Sequence, residues 1–209
     1  MKRIHLLVLT LICTLAVNAQ IVSQTDFPVV QKIASGNSEY KTIVSKFKQT
    51  QHLAMMGEDM TSEGDFYYQK PEELTMRYTD PAGDLMMISG DRFVMVAAGK
   101  KRETSGKTNQ KMQGMKAILS ACLQGNVLQM GAEKVTLEET GKHYVLTAII
   151  DKKSNKSNFD KVVASYDKKD LSLSVLQTIE RDGSYTIYEL SNKKFNTPIA
   201  PDTFTATKW

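Results

Sequence analysis

From about Val44 onward the apolar residues recur at every second position, in short runs separated by turn signals, and this pattern limits the fold more than any other feature of the chain. Residues two apart share one face of a strand. Ser45, Phe47, Gln49, Gln51, Leu53 and Met55 make one such face, and Gly57-Glu58-Asp59 turns the chain. A second strand is expected over 61–69. After Pro71, Leu74, Met76 and Tyr78 alternate with Thr75, Arg77 and Thr79, up to the turn signal Asp80-Pro81-Ala82-Gly83. Residues 85–89 and 92–97, divided by Gly90-Asp91, predict a hairpin. Residues 99–106 are polar and basic and read as a loop with a short strand. Further strands are expected over 134–138, 143–149, 161–167, 172–180 and 184–191, with Asp182-Gly183 a strong hairpin turn. The expected fold is mainly β with some helix (α+β), an antiparallel sheet of about nine to eleven strands. Such a sheet must bury one face or close on itself.

Two segments break the alternation. Residues 26–36 place Phe27, Val30, Ile33 and Ala34 at helical spacing, with Asp26 as N-cap and Gly36-Asn37-Ser38 as the stop. Between Asn109 and Gln124, Met112, Met115, Ile118, Leu119 and Cys122 or Leu123 form an apolar stripe, while Lys111, Gln113, Lys116 and Gln124 face elsewhere. Gly114 weakens this amphipathic helix slightly. Helices of this size can cover one face of an open sheet.

The first residues read as an export signal. Met1-Lys2-Arg3 is basic, Ile4 to Val17 is apolar, and Val17-Asn18-Ala19 supplies a processing site, so residues 1–19 are expected to be removed and 20–209 to form a single domain. Cys13 lies within the apolar stretch and reads as part of the leader, not as a lipidation site. Losing Lys2 and Arg3 takes the formal charge from +4 to +2, which leaves little case for a nucleic-acid partner. Cys122 is then the one remaining cysteine, so neither an internal disulfide nor a multi-cysteine metal site is expected. The sequence has 11 methionines, many for this length. Flexible, polarizable side chains suit apolar surfaces that accept varied partners.

No constellation carries chemistry. The sequence lacks a G-x-S-x-G elbow, an H-E-x-x-H pair, a nucleotide glycine loop and a calcium loop. His52 and His143 read as surface or network groups. Lys152-Lys153, Lys168-Lys169 and Lys193-Lys194 read as solubilising charge near turns and strand ends. Catalytic residues, a cofactor and a metal are all expected to be absent.

Phe47-x-Gln49, Gly64-x-Phe66, Lys70-Pro71-x-x-Leu74-x-Met76-x-Tyr78-x-x-Pro81 and Ile88-Ser89-Gly90-Asp91-Arg92-Phe93 follow one another in order. This series resembles the LolA family of periplasmic outer-membrane lipoprotein carriers. The resemblance implies an incomplete antiparallel barrel covered by a small helical lid, with acyl chains held between them. It implies acylated lipoproteins as cargo, an inner-membrane lipoprotein-releasing transporter as donor, and an outer-membrane acceptor or the membrane itself as recipient, served by a monomer in the periplasm. The expected cavity set is Phe47, Phe66, Leu74, Met76, Tyr78 and Met87 from the sheet, and Met112, Met115 and Leu119 from the lid. Lys70 stands where the family often has Arg and is expected to latch strand to lid through backbone carbonyls. Without the planar fork of Arg, it should hold the lid less firmly. Met76 stands where the family often has Trp. A general periplasmic lipid- or hydrophobe-binding protein and an envelope sensor module are the alternative readings.

Overall fold

The computed structural model describes residues 20–21, 28–105, 109–153 and 155–205. The expected signal peptide and Asp26 lie outside them. Among the described residues, twelve strands form one antiparallel sheet: β1 (Gln20–Ile21), β2 (Thr42–His52), β3 (Asp59–Gln69), β4 (Glu73–Asp80), β5 (Ala82–Ser89), β6 (Arg92–Ala97), β7 (Lys100–Ser105), β8 (Ala132–Glu139), β9 (His143–Ile150), β10 (Phe159–Asp167), β11 (Leu173–Glu180) and β12 (Tyr185–Phe195). The expected mainly-β, open sheet is present. The count passes eleven because Gln20–Ile21 adds a two-residue strand against β8.

The sheet is two meanders joined side by side, with order β1-β8-β9-β10-β11-β12-β2-β3-β4-β5-β6-β7. β7 and β8 are consecutive strands, yet they lie toward opposite ends of that order. The chain between them must therefore cross the face of the sheet. It does so as α2 (Gln110–Leu123), followed by a 3-10 turn at Val127–Gln129. The lid position thus follows from the topology. α2 starts as its sequence predicts, with the Asn109 side chain accepting from the Met112 N–H at 3.2 Å.

α1 (Pro28–Ser38) runs two residues beyond its expected stop. Asn37 is buried rather than exposed, and its Nδ2 donates to the Ile33 carbonyl at 2.9 Å and to the Leu171 carbonyl at 2.6 Å. The side chain expected to end the helix instead fastens it to the β10–β11 turn.

The inner face carries the main core. Phe66, Met76, Met86 and Met95 are successive cross-strand partners along β3 to β6, and Tyr68, Leu74, Ile88 and Phe93 form the neighbouring row. Ile118, Cys122 and Leu123 of α2 are buried against this face. Gly64 matters here. A Cβ on it would collide with the Arg77 carbonyl and lie 2.9 Å from the Phe47 ring, so only glycine lets Phe47 lie across β3. Phe47 then meets Tyr78 edge-on at 5.1 Å.

Met87 corrects the sequence reading. It is completely buried, but with Leu85, Val94 and Val96 in a separate cluster on the outer face. In β5 both faces are covered, because the 3-10 turn Pro201–Phe204 packs on β4 and β5, with the Thr75 hydroxyl donating to the Thr203 carbonyl at 3.0 Å. The run Leu85-Met86-Met87-Ile88 is therefore apolar throughout and shows no alternation from which to read its inward side. Register decides it: Met86 pairs with Met76, so Met86 faces inward and Met87 outward.

Candidate functional site

Between α2 and the inner face runs an apolar groove. Its deep part is lined only by apolar contacts of Phe66, Leu74, Met76, Leu119, Leu123, Leu173, Leu176, Tyr188 and Leu190, and holds about 20 Å³ of free space. Toward the N-terminal end of α2 it widens to about 380 Å³, bounded by Tyr78, Met86, Met95, Met115, Ile118, Leu119, Phe159 and Tyr188. Beyond this a space of about 490 Å³ opens between Phe93 and Met95 of β6, Met112 and Met115 of α2, and Phe159 of β10. β6 and β10 are far apart in the strand order, so the sheet must curl for both to border one opening.

The helix supplies the groove with a single stripe. Met112 and Met115 border the outer opening, Met115 and Leu119 the middle, and Leu119 and Leu123 the depth. This is helical spacing projected along a channel. Phe66, Leu74, Met76, Tyr78, Met112, Met115 and Leu119 of the expected set thus border one groove. Phe47 borders no part of the groove; it is buried in the core packed against Tyr78. Met87 is on the far face.

Ten of the groove residues named above lie outside the expected set: Phe159 of β10, Leu173 and Leu176 of β11, Tyr188 and Leu190 of β12, Met86 of β5, Phe93 and Met95 of β6, and Ile118 and Leu123 of α2. The even-numbered alternation through Leu176, Thr178, Thr186, Tyr188 and Leu190 marks three of them, Leu176, Tyr188 and Leu190. Their contribution to the groove depends on β12 pairing with β2, a contact between residues far apart in the chain.

The mouth carries a polar border of Gln49, Gln51, Ser62, Thr178 and Thr186, with Asp84 and Glu180. Asp84 accepts from the Ala98 N–H at 2.9 Å, and Glu180 accepts from Asn158 Nδ2 at 2.5 Å. Burial pushes the Tyr188 phenol up to about 12. Tyr78, which donates to Gln49 Oε1 at 2.7 Å, is pushed well up by burial, with smaller contributions from Tyr188 and Asp84. Both phenols stay neutral near pH 7 and serve as hydrogen-bonding groups. Cys122 is fully buried on α2 with its thiol pushed up to about 12 by desolvation, which removes it as a nucleophile. His52 belongs to a network with Asp59 at 2.8 Å and a stacked Tyr185 ring at 4.9 Å, on the face of β2 away from the groove. What the groove can do is enclose apolar chains and present hydrogen bonds to a polar group at its mouth.

Both helices are tied to the sheet through lysines. Lys70 Nζ donates to the carbonyls of Asn37 at 2.9 Å and Ser38 at 2.8 Å, the last residues of α1. A cation at unsatisfied C-terminal carbonyls is favourable, although burial lowers the ammonium pKa, with Glu39 opposing. The backbone-carbonyl contact expected of Lys70 is present, but it falls on α1 and not on the helix over the groove. α2 has its own tie, made by a lysine whose sequence position suggests only a solvated face. Lys116 Nζ reaches Glu72 Oε2 at 2.7 Å and the Gly90 carbonyl at 2.9 Å, bridging the β3–β4 and β5–β6 turns at one end of the strands. Gly114 also proves to be more than a weak point. A Cβ there would clash with the Asn155 side-chain oxygen and lie 2.7 Å from the Ser157 nitrogen, so the 155–157 loop rests directly on α2.

The profile described as "Outer membrane lipoprotein carrier protein LolA" matches residues 38–207. No curated protein matches the chain. Among solved structures, the chain is similar to an uncharacterized conserved protein from Thermus thermophilus, with a TM-score of 0.50 at 7% identity over 84% of this chain and 90% of the other. It is also similar to a putative outer membrane lipoprotein-sorting protein domain from Vibrio parahaemolyticus, with a TM-score of 0.47 at 13% identity over 85% and 94%. A LolA superfamily protein from Nitrosomonas europaea gives a TM-score of 0.41 at 9% identity over 84% and 97%. At 7% identity the likeness to the Thermus thermophilus protein speaks to the fold alone, and the sequence profile carries the assignment. With that profile spanning most of its length, the chain belongs to the LolA family.

Proposed function

We propose that this chain is a periplasmic carrier that holds the acyl chains of a lipoprotein in the groove beneath α2. On this reading it takes them from an inner-membrane lipoprotein-releasing transporter and delivers them to an outer-membrane acceptor. The observation that carries the reading is the groove itself, wholly apolar in its depth, and in its wider parts lined by methionines with polar side chains along the border. Enclosing an acyl chain removes it from water at roughly 0.8 kcal/mol per methylene. The cross-strand methionines Met76, Met86 and Met95 face Met112 and Met115, and such side chains adapt to a chain that has no fixed shape.

The depth of the groove, at about 20 Å³, is closed. Cargo entry therefore requires α2 to move away from the sheet, with Leu119 and Leu123 giving up their contacts to the incoming chains. In this scheme Lys116 holds α2 closed, while Lys70 fixes α1 to the sheet and leaves the movement of α2 to Lys116. Release follows from the same arrangement, because α2 regains its own buried contacts when the cargo leaves.

The test is native mass analysis of the protein purified from its own envelope, beside a Met76→Asp variant. The carrier reading expects an acylated polypeptide bound to the parent and lost from the variant, with circular dichroism unchanged. A parent that holds only free lipid contradicts the lipoprotein assignment. A folded variant that still holds cargo contradicts the groove.

A further inference from the structure

The hairpin joining β2 and β3 ends in apolar side chains that nothing in the described chain covers. Met55 is 98% exposed, Met56 63% and Met60 41%. Among the described residues the other exposed large hydrophobic is Met95, at 43%, and it borders the groove mouth. The hairpin tip and the mouth are continuous. Met60 is the cross-strand partner of Gln51, and the next inner-face pair, Gln49 with Ser62, lines the mouth together with Gln51. Met60 is thus one step beyond the rim on the same face, and Met55 and Met56 cap the end. The base of the hairpin is braced. His52 bonds Asp59 at 2.8 Å, Tyr185 stacks on His52, and the Ala54 N–H donates to the Ser184 hydroxyl at 3.1 Å.

We propose that this tip inserts into the headgroup region of a lipid bilayer with ethanolamine-type zwitterionic headgroups, bringing the groove mouth against the membrane. β2 is paired with β12 and β3 up to His52, and only Asp59–Ser62 of β3 run past the end of β4, so the hairpin offers a peptide strand no more than a four-residue edge. Unbranched thioether side chains mix well with acyl chains. The acidic residues beside them set the surface. Glu58 and Asp59 adjoin the methionines, and Asp59 is taken by His52. The Glu58 carboxylate matches an ammonium headgroup and is repelled by an anionic one. Placing the mouth at the bilayer gives acyl chains a passage that avoids water; that benefit rests on the carrier reading, whereas insertion itself needs no cargo.

Trp209 is the one tryptophan of the chain, so a Met55→Trp variant in a Trp209→Phe background reports on the tip alone. With vesicles of phosphatidylcholine and phosphatidylethanolamine, its emission is expected to shift to the blue and to be quenched by lipids brominated on the acyl chain. Met55→Asp combined with Met56→Asp should weaken vesicle co-sedimentation by about tenfold or more. Adding phosphatidylglycerol at low salt should weaken insertion, and Glu58→Gln should restore it. Emission that stays that of a water-exposed indole with every vesicle overturns the proposal, whatever cargo capture shows. So does retention by a soluble protein fraction with none by vesicles. Stronger insertion into phosphatidylglycerol overturns the headgroup assignment. Loss of cargo capture with insertion intact counts against the carrier reading instead.

Discussion

Replacing Lys116 with methionine keeps most of the side-chain volume and removes the charge that ties α2 to the β3–β4 and β5–β6 turns. Two interactions are lost. The ion pair to Glu72 is partly solvated, with side-chain exposures of 21% and 48%, and pairs in such settings are worth about 0.2–1 kcal/mol. The hydrogen bond to the Gly90 carbonyl has a charged donor and a less solvated acceptor, and contributes about 1 kcal/mol more. Together these favour the closed lid by about 1–2 kcal/mol, so the open fraction should rise by roughly five- to thirtyfold. Cys122 provides the assay. It sits on α2, is fully buried, and the Tyr166 hydroxyl donates to its backbone carbonyl at 2.8 Å. Its reaction with a thiol reagent therefore reports opening of the lid. The labelling rate of Lys116→Met should exceed that of the parent by the same factor, with Lys116→Arg close to the parent. Salt should raise the parent's rate by the smaller share that belongs to the ion pair. An unchanged rate in a folded Lys116→Met variant would refute the assignment of Lys116 as the tie.

Lys70→Leu should loosen the end of α1, visible as faster amide exchange at Ser38 to Tyr40, while leaving Cys122 labelling within about twofold of the parent, because its bonds end on α1. Gly114→Ala should destabilise the fold by about 1–3 kcal/mol in chemical unfolding despite the better helix propensity of alanine, since the added carbon meets the 155–157 loop; a stabilised variant would show that this loop yields freely. Cys122 adds a pH dependence. The unfolded thiol ionises near 9.0 and the folded one near about 12, so the folded state binds the extra proton between these values and stability falls as pH rises through that window. Cys122→Ala should remove about 1.4 kcal/mol per pH unit of that loss; identical alkaline slopes in the two proteins would contradict a thiol buried in the folded state.

The strands and α2 were legible because each has one solvated and one buried face, so the period of the apolar residues states the element directly. β9 to β12 begin and end within a few residues of their expected limits for this reason. Legibility failed where burial is two-sided or where the partner is distant in the chain. Met86 and Met87 are both buried, so no alternation separates the cavity side from the outer cluster beneath Pro201–Phe204. Lys116 looked like any charge on a solvated helix face, because its acceptors sit on two turns that only the curled sheet brings beneath α2. Gly114 looked like a propensity defect because the 155–157 loop that needs it lies some forty residues on. Lys70 was legible as a carbonyl-binding cation, and only the choice of helix was not.

The central claim is that acyl chains lie between α2 and the inner face. Its most direct test is photo-crosslinking from single sites in the presence of an acylated lipoprotein, with the reactive group at Leu119 in one protein and at Met87 in another. Both positions belong to apolar clusters, but on opposite faces of the sheet. The account predicts adducts on the lipoprotein's acyl chains from position 119 and none from position 87. Adducts from 87 and not 119, or equal yields from both, would contradict it.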